Sequence, residues 1–430
     1  MNHLKFKKRS LIFGSLLTIA LVATTSCNKD EDASVEDFQQ IDHEQNGIPK
    51  EYIVVFKDAT IKSKAVAQES LSILERYGVT EEQIAKEYTT IFKGVFLKGI
   101  SPEIAEQLKS DPAVESVAQN VTFDFDLTPI TQTKAPLTET NSQKMNGFAD
   151  IIRPNGEVLS WAAQRVGRGD GTGKKIWIID SGIADIDELN IDKKNSRNFV
   201  PNEPIDAWQD THATSHGTRV ASIAAAKENG KGIIGVAAGA TVVAIRIVGS
   251  NANFAAYAEA FDYVAANIQP GEVWNFSAGP GNPIEVLIAF FKVKQEVIDI
   301  FERAIEGLSA AAPGFVAAGN KQGNLDMHPF VESHTSTPND QRYIIGATTN
   351  TDAVWSNSPY GQVIDYWAPG VNIAGVDKMG NVVHGNGSSF ASPMVAAMYL
   401  ISNGNLITNL STATKNNITR PIPQIIIPTR

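Results

Sequence analysis

Three short segments each set a reactive side chain among small residues, and together they constrain the fold more than any other feature. Ile178-Ile179-Asp180-Ser181-Gly182 puts a carboxylate at the end of the apolar run that starts at Lys175. Ser215-His216-Gly217-Thr218 puts an imidazole ahead of the Ala-rich stretch Val220 to Ala226. Gly387-Ser388-Ser389-Phe390-Ala391-Ser392-Pro393 puts hydroxyls at the head of an apolar helical stretch. Groups so far apart in sequence can share one reaction only if strand ends and helix starts converge.

The runs between them say how. Lys175 to Ile179, Thr241 to Val248, Val273 to Phe276, Gly314 to Ala318 and Tyr343 to Ala347 are nearly continuous apolar stretches. Such strands suit burial on both faces of a parallel sheet. Phe254 to Ile268 and Ile288 to Ala311 are helix-like and lie between them. The expected fold from about 161 to 412 is therefore α/β, a doubly wound and mainly parallel sheet. Sites in such sheets form beyond the carboxyl ends of the strands, where Asp180 falls. Gly169-Asp170-Gly171-Thr172-Gly173-Lys174 looks like a phosphate loop but precedes a strand instead of following one, so it reads as a turn.

Each candidate has a chemical reading and a plainer one. An Asp at a strand end can fix an imidazole tautomer, or simply make a turn. A His near pKa ~6.5 can take a proton from a hydroxyl and return it to a leaving amine. His212, His334 and His384 lack the Gly-Thr that follows His216 and read as ordinary residues. Ser388, Ser389 and Ser392 compete for the nucleophile, and spacing alone does not choose among them. Phe315-Val316-Ala317-Ala318-Gly319-Asn320 ends a strand with an amide that can hold an oxyanion, or with a turn-forming Asn.

The order Asp, His, Ser in these contexts resembles the subtilisin-like serine peptidase family, whose motif reads Gly-Thr-Ser-x-Ala-Ser-Pro. The resemblance spans about 250 residues and includes Gly235-Val236-Ala237 and Trp367-Ala368-Pro369-Gly370-Val371. It selects Ser389 as nucleophile, with His216 as base, Asp180 as its orienting partner and Asn320 as oxyanion donor. It also makes Ser277, Ala278 and Gly279, in Trp274-Asn275-Phe276-Ser277-Ala278-Gly279, the residues beside the substrate backbone and the S1 pocket. Small Ala278 and Gly279 then imply a pocket for a large apolar P1 side chain. Three departures stand out: Ser388 for the usual Thr, Phe390 for the usual Met, and Arg219 where His is frequent. The implied activity is a serine endopeptidase acting on proteins or peptides, with no cofactor for catalysis. Structural calcium is common in the family, and Glu188 and Asn229 fall near one such site. Lys227 and Lys231 crowd that loop, so calcium is not assigned. A catalytically silent binding protein on the same fold, and a dedicated processing protease of narrow specificity, are the alternatives.

Residues 49–126 read as a small α+β domain. Strands are expected at Tyr52 to Phe56, Ile91 to Leu97 and Val114 to Phe125, and helices at Lys64 to Tyr77 and from Ser101, an N-cap with Pro102 behind it. The order, and the segments Phe92-Lys93-Gly94-Val95-Phe96 and Pro112-Ala113-Val114-Glu115-Ser116-Val117, resemble the ferredoxin-like inhibitor propeptide that precedes these peptidases. That implies a zymogen whose first partner is its own propeptide. Residues 127–160 have little apolar periodicity and read as a linker carrying the processing site, and 413–430 as a short tail.

At the N-terminus Lys5, Lys7, Lys8 and Arg9 precede the apolar run Leu11 to Ala23, the pattern of an export signal over residues 1–26. Cys27 is the single cysteine of the chain, which excludes an internal disulfide. Its place resembles the lipidated cysteine of bacterial lipoproteins, with Thr24 where Leu is usual. Asn28-Lys29-Asp30-Glu31-Asp32 resembles the acidic surface-export tag of some diderm bacteria. Residues 27–48 then form an acidic tether, and acyl chains would hold the protein at the cell surface or outer membrane. The chain has 430 residues and a formal charge of −10, which disfavours non-specific nucleic-acid binding.

Overall fold

A computed structural model describes residues 47–58, 60–61, 65–122, 130–133, 149–278, 295–327 and 341–425, with 130–133 given as backbone only. The region around Cys27 and Gly279 lies outside these residues.

The N-terminal part runs β1 (Gly47–Phe56), α1 (Val66–Leu74), β2 (Ile84–Tyr88), β3 (Gly94–Lys98), α2 (Pro102–Lys109) and β4 (Val114–Val121). The strands form one antiparallel sheet in the order β2-β3-β1-β4. The ferredoxin-like arrangement therefore has one strand more than the sequence pattern suggested. β2 is a polar edge strand, Ile-Ala-Lys-Glu-Tyr, with no apolar run to announce it. α2 starts as expected, with Ser101 accepting the Ile104 amide at 3.4 Å and Pro102 in the first turn. Period-two alternation gives β1 two destinations. Tyr52, Val54 and Phe56 pack with Val66, Leu74, Ala105 and Leu108 of α1 and α2. Ile53 and Val55 face the other way, with Tyr88, Phe92, Phe96 and Ala118.

β5 (Ile130–Thr133) comes next, inside the expected linker, and pairs antiparallel with a strand of the following domain. α3 (Trp161–Val166) is capped by Ser160, which accepts the Ala163 amide. The central strands are β6 (Lys175–Asp180), β7 (Thr241–Arg246), β8 (Val273–Phe276), β9 (Gly314–Ala317), β10 (Arg342–Thr348) and β11 (Tyr366–Pro369), separated by α4 (His216–Ala225), α5 (Phe254–Asn267) and α6 (Gln295–Ala311). All six run parallel, in the order β7-β6-β8-β9-β10-β11. A hairpin of β12 (Ile373–Val376) and β13 (Val382–Asn386) leads into α7 (Ser388–Ser402). Trp177, Ile179, Val243 and Ile245 point to α5 and α6, whereas Ile176, Ile178, Val242 and Ala244 point to α4 and α7. Both faces are dry, which is why these strands read as unbroken apolar runs.

Residues 413–422 are not a free tail. β14 (Thr412–Lys415) and β15 (Ile418–Pro421) form a hairpin, and Ala413 and Ile422 are buried against Trp367 and Ile344.

Candidate active site

Asp180 is the last residue of β6 and is completely buried. Its Oδ1 accepts the Ser181 amide at 2.7 Å and pairs with His216 Nδ1 at 2.7 Å. His216 is the first residue of α4, also buried. The approach of α4 to the strand end requires Gly217. A Cβ there would lie 2.2 Å from the Gly182 carbonyl oxygen and 3.1 Å from Asp180 Oδ1.

The start of α4 is capped by other parts of the chain. Ser215 sits at φ +54°, a left-handed conformation costly for a non-glycine residue, and makes no capping bond. The free amides at the helix start go elsewhere. Gly217 N–H donates to Ser181 Oγ at 2.9 Å, and Thr218 N–H to Asp210 Oδ2 at 3.0 Å. Asp210 also accepts Ser181 Oγ, Thr218 Oγ1 and the His212 amide. Burial pushes the Asp210 carboxyl above its usual range, opposed by the Thr218 hydrogen bonds. Asp210 thus ties the Asp-Ser-Gly turn to the His-Gly-Thr turn. Sequence reasoning passed it over, since a lone Asp six residues before a His carries little signal. His212, set aside as ordinary, is held by Thr214 Oγ1 at 2.9 Å, and burial lowers its pKa. His384 pairs through Nε2 with Asp150 at 2.8 Å.

Ser389 lies in the first turn of α7, buried, one residue into the helix. Pro393 falls in the second turn, because the helix opens at Ser388. Proline has no N–H, so the Ser389 carbonyl four residues earlier lacks its helical partner. Ser277 Oγ donates to that carbonyl at 3.1 Å, and Asn275 Nδ2 donates to Ser277 Oγ at 2.9 Å. Asn275 Oδ1 accepts Ser392 Oγ at 2.7 Å. Asn275 is a second residue the sequence reading missed, although an Asn inside Val273-Trp274-Asn275-Phe276 is a legible signal of a buried polar role.

The Ser389 hydroxyl donates to the Ser277 carbonyl at 3.2 Å, and among the described residues no hydrogen bond joins it to His216. Neighbouring Phe390 brings the two segments together, its ring centroid 5.9 Å from that of His216. Asn320 follows Gly319, which takes φ +104° to turn the chain out of β9. Asn320 Oδ1 accepts the Ser388 amide at 2.8 Å and the Ser388 hydroxyl at 3.2 Å. The oxygen is therefore engaged, chiefly by the backbone amide. The hydroxyl that Ser388 shares with the usual Thr also holds Gly319, donating to its carbonyl at 2.8 Å and accepting its amide at 2.9 Å. Ala278 is buried beside Ser277. Near Glu188, the Lys231 ammonium lies 2.8 Å from Asp187 Oδ2 and 3.7 Å from Glu188 Oε1.

A parallel α/β sheet with an Asp–His pair at one strand end and a serine in the first turn of a central helix is the frame of a serine hydrolase. The chain belongs to the subtilase family, which it matches over residues 171–415, and it matches the peptidase inhibitor I9 family over residues 51–126. It is a serine endopeptidase preceded by an inhibitor-type propeptide. The alkaline protease of Alkalihalobacillus alcalophilus is 27% identical over 354 residues, covering 81% of this chain and 79% of that protein. Subtilisin BL of Lederbergia lenta is 31% identical over 227 residues, covering 53% of this chain and 74% of that protein. The solved epidermin leader peptide processing serine protease of Staphylococcus aureus shares the fold, with a TM-score of 0.57 at 16% identity over 82% of this chain and 88% of that one.

Proposed function

We propose that Ser389 is the nucleophile, His216 its base and Asp180 the carboxylate that orients the base. The observation that carries this reading is the buried 2.7 Å contact between Asp180 Oδ1 and His216 Nδ1, with Ser389 one residue from the ring that packs on His216. Asp180 holds the proton on Nδ1, so Nε2 is free to accept one. A χ1 rotation moves the Ser389 hydroxyl from the Ser277 carbonyl to Nε2, since catalytic hydrogen bonds often form only in the substrate complex. Ser389 Oγ then bonds to the scissile carbonyl carbon and its proton passes to Nε2. Asn320 Nδ2 and a backbone amide hold the oxyanion. The C–N bond breaks, the proton moves from Nε2 to the leaving amine, and water repeats the sequence to release the acyl group. This chemistry uses no metal or organic cofactor, so a chelator should leave turnover unchanged. A structural calcium would show itself as a chelator-dependent drop in Tm.

Ser277, Ala278 and Gly279 form the substrate-binding segment, open enough for a large apolar P1 residue. A P1 library scan that prefers Arg or Asp contradicts this, and its breadth separates general proteolysis from one dedicated cleavage. The propeptide is removed by the enzyme itself. The chain is exported, as the Bacillus subtilis relative named minor extracellular protease Epr is by its name. It is held at the cell surface or outer membrane through an acylated Cys27, and Cys27→Ala should release it into the medium. A fluorophosphonate probe tests the central reading. It should label wild type and not Ser389→Ala, and equal labelling of both would place the nucleophile elsewhere.

A further inference from the structure

On α4, next to the Asp–His pair, lies a buried cation with no hydrogen-bond partner among the described residues. Arg219 sits one turn along α4 from His216, on the same face, and is 1% exposed. Its Nε, Nη1 and Nη2 are buried and meet no hydrogen-bond acceptor among the described residues. The carboxylate that acts on it is Asp377, but Asp377 is occupied by its own turn, accepting the Met379 and Asn381 amides and Asn381 Nδ2. The guanidinium lies instead over the Phe390 ring, 4.5 Å from the centroid. Room for it comes from Gly385 of β13, where a Cβ would fall 2.4 Å from Arg219 Nη2 and 2.9 Å from Phe390 Cε2. Phe390 thus contacts Arg219 and His216 alike, and it is covalently next to Ser389.

A desolvated guanidinium with a single cation–π contact is expensive. Such local conflicts concentrate at functional sites. We propose that Arg219 is a positioning residue for peptide-bond hydrolysis. Through Phe390 it fixes the orientation of the His216 ring relative to Ser389. This rests on the triad proposed above.

The test compares Arg219→Met, Arg219→Lys, Phe390→Leu and the double variant Arg219→Met/Phe390→Leu in the full-length protein, each checked for fluorophosphonate labelling. Arg219→Met should lower kcat about tenfold with KM unchanged. Arg219→Lys, which keeps a cation over the ring, should restore part of that loss. Phe390→Leu should lower kcat likewise, and the double variant should lose less than the sum of the singles. Wild-type kcat in Arg219→Met overturns the proposal. If Arg219→Met fails to mature, wild-type kcat in Phe390→Leu overturns it equally. Failure of the triad reading is distinct, because the probe would then label Ser389→Ala as it labels wild type, or label neither.

Discussion

The two sheets of this molecule are covered in different ways. The peptidase sheet buries both faces against its own helices, α5 and α6 on one side and α4 and α7 on the other. The propeptide sheet covers one face with α1 and α2, and gives the other to α5 and α6 of the peptidase. Ile53, Val55, Tyr88, Phe92 and Phe96 are therefore core residues of a domain that does not contain their neighbours Phe254, Phe261 and Phe301. Polar contacts add register. Asp262 Oδ1 accepts the amides of Thr89, Thr90 and Ile91, and Asn120 Oδ1 accepts the Ala255 amide at the start of α5. With the peptidase removed, the domain keeps the core under α1 and α2 but loses the half that Phe254, Phe261 and Phe301 complete. The inhibitor is thus finished by the enzyme it blocks, whereas the enzyme core needs only its own helices.

The largest effect should come from separating the two. Residues 47–126 alone should lack a cooperative unfolding transition by circular dichroism and gain one on adding mature peptidase. A stable isolated propeptide would break the comparison. Next is Asn320→Ala, which should lower kcat by about 10²–10³ with little change in KM, the magnitude known for the equivalent loss in subtilisin. Propeptide affinity should not change if Asn320 acts in the chemistry as proposed, because it is not among the residues of the shared face.

A third variant separates the sheets by one methyl group. Gly307 on α6 faces the propeptide backbone, and a Cβ there would lie 2.3 Å from the Ile91 carbonyl oxygen. Gly307→Ala should weaken inhibition by free propeptide roughly 10–100-fold, since backbone cannot step aside cheaply. The mature enzyme should gain about 0.5–1 kcal/mol from removing a mid-helix glycine. An unchanged inhibition constant would mean the two domains meet differently.

A fourth effect concerns the peptidase core alone. Burial pushes the Arg219 guanidinium down to about 10. Between that value and its ordinary one the unfolded chain binds more protons, so native stability rises with pH there. Below pH 10 the full penalty of burying the cation is present. Arg219→Met, in a Ser389→Ala background to prevent autolysis, should therefore be more stable than its parent at pH 8 by about 1–4 kcal/mol in urea unfolding. The gap should narrow above pH 10. A destabilised Arg219→Met would show that the cation–π contact outweighs desolvation.

What could be read from the sequence follows the same division. Strands buried by their own domain, such as Lys175 to Asp180 and Val273 to Phe276, show apolar runs that no other arrangement explains. Asp180, His216 and Asn320 were legible because each stands where a strand ends or a helix begins next to a small residue. Features supplied by distant chain were not. β2 is polar, and its place comes from pairing with β3. β5 carries no strand pattern and is ordered by β13. Arg219 and Phe390 each appeared as an isolated departure from the family pattern. Only their 4.5 Å contact, 171 positions apart in sequence, makes them one feature. Asp210 escaped notice for a similar reason, since its three partners besides His212 lie on Ser181 and Thr218.

The most direct test is the intact mass of purified wild type beside Ser389→Ala after folding under the same conditions. Wild type should lose its N-terminal residues up to a bond within 127–160, and Ser389→Ala should keep its propeptide. Two full-length proteins, or two processed ones, would contradict a Ser389 nucleophile that frees the enzyme from the sheet it helped to complete.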